Sequence, residues 1–273
     1  MRKHLFIWAT IVVLSGCSKT TNYDTNTANS NIANGKSNNS NSRIASPKKG
    51  IGLSESGGFN DTQLQLLNVS WYYNWGLTTA AHSTIPFVPM EWGTGGLSHL
   101  GHYTYLLGFN EPDNTSQSNL TAAQALTYWP TLVAATTYVG SPATAGSPNT
   151  SGSWLQQFMS SSPAPKVDFI TVHWYKGVDT TRFYSDMISI HNLFNKPIWV
   201  TEFAPQTTSS SASQPTKYSQ AQVNQFITSV TRWMNAQSFI ERYAWHDSKA
   251  GTSAIFTTSG ALTATGVKYA AAP

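Results

Sequence analysis

Short runs of β-branched and aromatic residues recur from residue 50 to the end of the chain. Such side chains favour pleated, buried surfaces, so each run predicts a strand. The eight runs span residues 50–53, 69–74, 85–90, 104–110, 137–140, 167–174, 198–203 and 239–245. Several are continuously apolar, as is typical of strands covered on both faces in a parallel sheet.

Helical patterns lie between several of these runs. Thr121 with Gln124, and Ser219 with Gln222, have the spacing of a capping box, in which a hydroxyl and an amide satisfy free backbone N–H groups. Apolar positions after Ser219 then follow one helical face: Val223, Phe226, Ile227, Val230, Trp233 and Met234. A third helix is predicted over residues 179–194.

Strands that alternate with helices indicate parallel pairing. Eight such units in residues 50–273 predict an α/β fold, a compact (β/α)8 TIM barrel. Some connections, notably the one after Trp92, are too short for a full helix, so some helices are expected to be shortened or missing. An open doubly wound sheet is the alternative, although no Gly-rich phosphate-binding turn follows any run.

The first 17 residues have the pattern of an export signal. A basic start, Met1 to His4, precedes ten apolar residues, which suit a signal peptide and are too few to span a membrane. The segment 14–17, Leu-Ser-Gly-Cys, resembles the lipobox of bacterial lipoproteins, in which the cysteine is acylated. That resemblance implies an exported protein anchored at Cys17 to the cell envelope without spanning the membrane. A plain secretory signal is the alternative.

Residues 18–49 are rich in Asn, Ser and Thr and nearly free of apolar side chains, so they predict a disordered linker. The folded domain is then residues 50–273, a unit of 224 residues. Apolar residues make up 40% of the whole chain, which is enough to form a hydrophobic core. The chain has one cysteine, which excludes a disulfide scaffold and a cysteine-cluster metal site.

The basic charge of the chain is unevenly distributed. Residues 1–49 hold seven basic and one acidic side chain, a net of +6, whereas residues 50–273 hold nine basic and eleven acidic ones, a net of −2. The folded domain therefore has no excess of positive charge with which to neutralise phosphates, and nucleic acid is not an expected partner.

Two glutamates stand out among the five in the chain. Glu111 follows the fourth run, in the segment Asn-Glu-Pro, and Glu202 lies near the end of the seventh. Active sites of (β/α)8 barrels gather at the carboxyl ends of the strands, where both residues are expected. The pair therefore predicts chemistry that uses two carboxyl groups.

Asn110-Glu111-Pro112 and Glu202 resemble the large clan A of retaining glycoside hydrolases, which is built on this barrel. The resemblance implies that Glu111 is the acid/base, that Glu202 is the nucleophile and that Asn110 bonds the sugar 2-hydroxyl. Retention requires the two carboxyl groups to lie about 5–5.5 Å apart. Burial among aromatic residues and the charge of Glu202 are expected to keep Glu111 protonated until it acts.

A narrower resemblance covers nearly the whole domain. Five segments, in order, are similar to glycoside hydrolase family 128, which acts on β-1,3-glucan and resembles Asl1-type fungal cell-wall proteins. They are WYYNW at 71–75, FVPMEWG at 87–93, LGFNEPD at 107–113, VHWY at 172–175 and WVTEFA at 199–204. The resemblance implies a β-1,3-glucanase. Internal cleavage is expected because an open cleft lined with several tryptophans suits a long chain, and the protein is expected to be a monomer. Glu91 and His246 depart from it, since an apolar and an aromatic residue are usual at those positions.

Aromatic residues supply candidate sugar-binding surfaces, because indole rings stack on the flat faces of sugars. Four tryptophans at predicted strand ends are expected to bind substrate: Trp75, Trp92, Trp174 and Trp245. Core positions are expected for Trp154, Trp199 and Trp233. His173 and Tyr175 are two residues apart and can face one side of a strand. The resemblance to clan A implies that such residues steady the nucleophile or contact the substrate, and the same is expected of Asn74.

Other functions remain as alternatives. His99 and His102 have no recognised metal-ligand spacing with His82, His173 or His246, so no metal or cofactor is expected. No Gly-x-Ser-x-Gly elbow of a serine hydrolase occurs. A surface lipoprotein that captures glucan without cleaving it is the non-catalytic alternative. A retaining hydrolase of mannan, xylan or mixed-linkage glucan is the other.

Overall fold

Eight parallel segments arranged in a closed ring form the centre of the computed structural model, which describes residues 45–206, 214–247 and 251–273. Seven of the segments are regular strands: β1 (Lys49–Gly52), β2 (Trp71–Tyr73), β3 (Tyr103–Leu106), β4 (Thr136–Val139), β5 (Ile170–Trp174), β6 (Ile198–Phe203) and β7 (Ile240–His246). The predicted barrel is confirmed.

The ring consists of two sheets that are joined by isolated bridges. The larger sheet has the order β2-β1-β7-β6-β5, and β3 pairs with β4. Parallel bridges from Phe87 to Tyr72 and from Met90 to Leu107 insert residues 85–90 between β2 and β3. Pro86 and Pro89 lack the N–H that a continuous ladder requires, which accounts for the bridges at this third position. The bridge between Gly140 and Phe169 closes the ring.

Six helices lie outside the ring in the described ranges: α1 (Asp61–Leu67), α2 (Ala122–Ala134), α3 (Trp154–Met159), α4 (Thr180–Phe194), α5 (Gln220–Ala236) and α6 (Ala264–Ala271). Both predicted capping boxes begin their helices, at Thr121 for α2 and at Ser219 for α5. Asp179 caps α4. Between β2 and β3 the chain forms only a short 3-10 turn, so the expected loss of helices is also confirmed.

Alternation along the strands divides the apolar residues into two cores. One core fills the barrel and includes Trp71, Tyr73 and Trp199, and the other packs the strands against the helices. At the amino end of the strands, the Arg242 guanidinium lies 4.2 Å from the centre of the Trp199 ring and 4.8 Å from that of Tyr105. These side chains close the barrel at the amino ends of its strands, so substrate is expected to enter at the carboxyl ends of the strands.

Several sequence-based predictions lie outside the described residues. They concern Cys17 and its signal segment and most of the 18–49 linker. Within the described part of the chain, no helix is both long enough and apolar enough to cross a membrane.

Two adjacent lysines tie the start of the barrel to two helix ends. The Lys49 ammonium is fully buried and donates to the carbonyls of Tyr269, Ala270 and Ala272, at 3.1, 3.3 and 2.6 Å. The half-buried Lys48 donates to three carbonyls at the end of α5. Because cations complement the carboxyl end of a helix, both contacts stabilise the junction.

We expect Lys49→Met to lower the free energy of unfolding by about 1–3 kcal/mol, because buried carbonyls lose their donor while the apolar stem is kept. Lys48→Met is the matched control and should cost less, since water can replace its ammonium. Urea unfolding followed by circular dichroism measures both. Equal losses in the two variants would contradict this account of Lys49.

Candidate active site

Glu111 lies at the mouth of the barrel in an uncommon backbone conformation. Its φ of 41° is in the left-handed region, which a non-glycine residue enters at a cost that is characteristic of functional sites. The surrounding loop compensates, because the Glu111 amide donates to Ala143 at 2.7 Å. The Asp113 carboxylate also accepts from the amides of Ala145 and Gly146, each at 2.8 Å. These hydrogen bonds fix the loop after β3, which carries Glu111, to the loop after β4.

Glu202 reaches the barrel interior through an irregularity in β6. Trp199 faces inward and Phe203 faces outward, although strict alternation would place both on the same side. The register of β6 shifts between Val200 and Phe203, and Glu202 pairs with His173 of β5. A bulge of this kind re-aims one side chain, here a carboxylate that is only 5% exposed.

The two carboxyl groups converge on His173. One oxygen of Glu111, one of Glu202 and a ring nitrogen of His173 all lie within 4.8 Å of one another. His173 Nδ1 is 3.0 Å from Glu111 Oε1, and Nε2 is 3.4 Å from Glu202 Oε1. The second contact has ion-pair distance without hydrogen-bond alignment. The predicted convergence of the two glutamates is confirmed, and His173 lies between them.

Three aromatic residues donate hydrogen bonds to Glu202. Trp75 Nε1 and Tyr73 Oη donate to Oε1 at 2.7 and 3.2 Å, and Tyr175 Oη donates to Oε2. Burial raises the pKa of Glu202, but the charges of His173 and His246 and the hydrogen bonds from Tyr175 and Trp75 lower it by more, so its pKa lies below the ordinary value. Glu202 is therefore held as a carboxylate, the form that a nucleophile requires.

His173 is held toward its charged form. Burial lowers its pKa, but the charge of Glu202 and the hydrogen bond with Glu111 outweigh that effect, and the pKa of His173 is raised. A positive charge on His173 stabilises the negative charge of Glu202, while Nδ1 of the same ring is hydrogen-bonded to Glu111. The side chain that the sequence assigned to steadying the nucleophile thus contacts both glutamates.

His246 contacts two of the residues that bond Glu202. Its ring meets those of Trp75 and Tyr175 edge-on, with centroids 5.3 and 5.8 Å apart. Burial lowers the pKa of His246, although the charge of Glu202 opposes this. His246, which departs from the family pattern, therefore packs against two of the residues that donate hydrogen bonds to Glu202.

Asn110 and Glu111 are supported by the loop that follows them. Asn110 is 4% exposed, and its Nδ2 donates to Gln117 Oε1 at 3.0 Å. Its Oδ1 is buried without a hydrogen-bond partner among the described residues, so it is available to a substrate hydroxyl. Asn114 Nδ2 donates to Glu111 Oε2 at 3.2 Å. The sequence interpretation did not identify Gln117 or Asn114.

Two of the predicted sugar-binding tryptophans are core residues, so those predictions are wrong. Trp174 is 1% exposed and stacks on Phe226, with its indole N–H bonded to Asp186. Trp245 is fully buried and packs edge-on against Phe203. Both occupy outward positions of their strands and face the helices, because their sequence neighbours face the barrel interior.

Asn74 lies apart from the nucleophile. Its Nδ2 donates to Glu55 Oε2 at 3.0 Å and to the Thr78 carbonyl at 2.8 Å, and its Oδ1 accepts from the Gly76 amide. The expectation that Asn74 steadies Glu202 is therefore wrong, and Asn74 instead stabilises the loop after β2.

Trp92, which was also predicted to bind sugar, is 39% exposed and lies beside Asn110. The backbone amide of Asn110 donates to the carbonyl oxygen of Trp92.

Tyr73 is the donor that the sequence interpretation missed. It is fully buried and lies two residues before Trp75, and both bond the same oxygen of Glu202. Alternation in the segment Trp71-Tyr72-Tyr73-Asn74-Trp75 carries the necessary information, since its odd-numbered positions share one face. Trp75 extends beyond the end of β2 with a φ of 64°.

Glu111, His173 and Glu202 are also the set of potential metal ligands found among the described residues. The two nitrogens of His173 face different carboxylates from opposite sides of the ring. His173 therefore makes one hydrogen bond, from Nδ1 with Glu111, and one ion-pair contact, from Nε2 with Glu202.

Comparisons with known proteins agree with this geometry. Residues 51–269 match the family model described as the glycosyl hydrolase catalytic core. Alkali-sensitive linkage protein 1 of Schizosaccharomyces pombe is 29% identical over an alignment of 217 positions, and the match covers 74% of this chain. The match spans 40% of the length of that relative.

Solved structures also resemble this one. A GH128 subgroup I endo-β-1,3-glucanase from Amycolatopsis mediterranei, in complex with laminaritriose, is 32% identical with a TM-score of 0.72. The match covers 84% of this chain and 100% of that one. A subgroup III curdlan-specific exo-β-1,3-glucanase from Blastomyces gilchristii is 26% identical with a TM-score of 0.63, over 84% and 100% of the two chains.

We expect Tyr175→Phe to raise the pKa of Glu202 by about one to two pH units, because a hydrogen bond to a charged group contributes about 1.5–3 kcal/mol. With five glutamates in the chain, 13C-labelled glutamate side chains can be titrated individually by NMR. Tyr184→Phe is the matched control, since Tyr184 stacks on Trp233 away from the site. An unchanged Glu202 titration in Tyr175→Phe would contradict the assignment.

Proposed function

The chain belongs to the glycosyl hydrolase catalytic core family, and from this premise we propose that it cleaves internal linkages of β-1,3-glucan with retention of configuration. The observation that carries the proposal is the approach of the two glutamate carboxyl groups to within 4.8 Å, measured between their closest oxygens. Retaining enzymes need a short separation, whereas inverting enzymes leave about 6.5–9.5 Å for a water molecule.

In the first step, Glu202 attacks the anomeric carbon while Glu111 donates its proton to the leaving glycosidic oxygen. A covalent glycosyl ester on Glu202 forms as the glycosidic bond breaks. In the second step, Glu111 accepts a proton from water, the water oxygen attacks the anomeric carbon, and Glu202 leaves as a carboxylate. Two inversions at the same carbon give net retention.

His173 acts as a positioning residue in both steps. Its contacts at 3.0 and 3.4 Å hold one oxygen of each glutamate in place. The three aromatic donors keep Glu202 oriented and ionised, so little reorganisation is needed as the charge moves. Asn110 Oδ1 is the buried polar atom next to the acid/base that is free to bind a sugar hydroxyl.

The choice of β-1,3-glucan is supported by the solved relatives. The structure at 32% identity is an endo-β-1,3-glucanase in complex with laminaritriose, and the one at 26% identity is an exo-acting, curdlan-specific enzyme. Internal cleavage is favoured by the greater identity to the endo-acting relative. The exposed indole of Trp92 at the barrel mouth offers a surface on which a further sugar ring can stack.

We expect the protein to release a ladder of oligosaccharides from laminarin, with the β-anomer appearing first in NMR spectra. Glu202→Gln should reduce kcat by at least about 1,000-fold, since removing a catalytic nucleophile removes the covalent route. Trp174→Phe, in the helix-facing core, is a matched control that should retain activity. Binding without release by the wild type would indicate glucan capture. Faster release from mannan, xylan or mixed-linkage glucan would contradict the linkage assignment.

We also propose that the mature protein is an exported monomer attached to a membrane surface of the cell envelope through acylated Cys17. The order of a basic start, an apolar stretch and the chain's single cysteine supports this proposal. Metabolic labelling with a radioactive fatty acid in a bacterial host should label the wild type and leave Cys17→Ser unlabelled. Labelling of Cys17→Ser, or release of wild type in soluble form, would contradict it.

A further inference from the structure

Glu91 is a buried acid that the mechanism does not use. It follows the third barrel position, where its amide donates to the Leu107 carbonyl at 3.1 Å. The residue is only 2% exposed, and no lysine or arginine pairs with it among residues 45–206, 214–247 and 251–273. His99 is near enough for its charge to lower the pKa of Glu91, but it forms no ion pair with Glu91 among the described residues. A buried acid without an ion pair is costly, so this side chain requires an explanation.

The carboxylate of Glu91 organises the loop that follows it. Its Oε1 accepts from the Gly96 amide at 3.1 Å, and the Gly93 amide also donates to the carboxylate. Gly96 approaches so closely that a Cβ at this position would lie 2.5 Å from Glu91 Oε2. Burial raises the pKa of Glu91, and the two backbone donors and the charge of His99 oppose that rise. Backbone amides of the loop 92–96 are therefore hydrogen-bonded to the carboxylate of Glu91.

This loop carries the exposed aromatic residue beside the acid/base. Trp92 is 39% exposed, and its carbonyl accepts from the Asn110 amide at 2.9 Å. Asn110 immediately precedes Glu111, so the backbone of Trp92 is fixed to the segment that presents the catalytic acid. The bonds to Glu91 fix the other side of the same loop. Trp92 is thus held between two anchors.

We propose that Glu91 is a positioning residue that holds Trp92 as a sugar-stacking platform next to Glu111 and thereby sets the affinity for the glucan chain. This inference rests on the proposed glucan hydrolysis. An apolar residue at position 91 fills the same space but cannot accept the two amide hydrogens, so the loop loses its organising contact. The effect is expected on substrate binding rather than on the chemical step, because Glu91 touches neither Glu202 nor Glu111 in the described contacts.

The test measures binding separately from hydrolysis. In a Glu202→Gln background, titration calorimetry with laminarihexaose should show that Glu91→Leu weakens binding about tenfold, whereas Glu91→Gln, which keeps one acceptor oxygen, weakens it less. Trp92→Ala should weaken binding to a similar extent. The double variant Glu91→Leu/Trp92→Ala should bind no more weakly than Trp92→Ala alone, because both changes remove the same platform.

Kinetics with Glu202 intact provide the second readout. Glu91→Leu should raise KM about tenfold and leave kcat within about twofold of wild type, as expected for loss of binding that is uniform along the reaction. Gly96→Ala perturbs the same contact from the other side and keeps the inference testable if Glu91→Leu fails to fold. Additive losses in the double variant, or a fall in kcat at constant KM, would overturn it. If wild type binds laminarihexaose without cleaving it, the proposed hydrolysis fails while the binding test of Glu91 still stands.

Discussion

Two carboxyl groups held within 4.8 Å of each other in a largely buried site repel one another when both are charged, and the active site depends on how this repulsion is managed. His173 lies between them, and its pKa is raised by Glu202 and Glu111 despite its burial. A positive charge on His173 would offset part of this repulsion. The short separation of the carboxyl groups is the spacing expected of a retaining glycosidase, since an inverting enzyme leaves room for a water molecule.

The barrel positions the side chains of the site accurately because its backbone departs from regular geometry at a few residues. A register shift in β6 turns Glu202 inward, and Glu111 and Trp75 both have positive φ values. Each departure from regular geometry places a functional group at the mouth, while the regular parts of the same strands pack the core. Strain at such positions is maintained by contacts around them, such as the amide of Glu111 on Ala143.

The sequence predicted the features that depend on local periodicity. The eight apolar runs, both capping boxes and the two glutamates at strand ends could be identified, because each depends on spacing along the chain. It failed where neighbouring residues share a strand end but face opposite sides. Trp174 and Trp245 were predicted to bind substrate, although alternation places their side chains against the helices. The inward turn of Glu202 could not be read from alternation either, since a bulge changes the phase of the pattern.

The central claim is that Glu202 forms a covalent bond to the sugar while Glu111 transfers protons. The most direct measurement is to incubate the protein with a 2-deoxy-2-fluoro-β-laminaribiosyl fluoride, digest it and locate the attached sugar by mass spectrometry. The fluorine slows both steps and the fluoride leaves without acid assistance, so the intermediate accumulates. We expect a single labelled peptide, modified at Glu202. Label on Glu111, or turnover without any covalent adduct and with inverted product, would contradict the account.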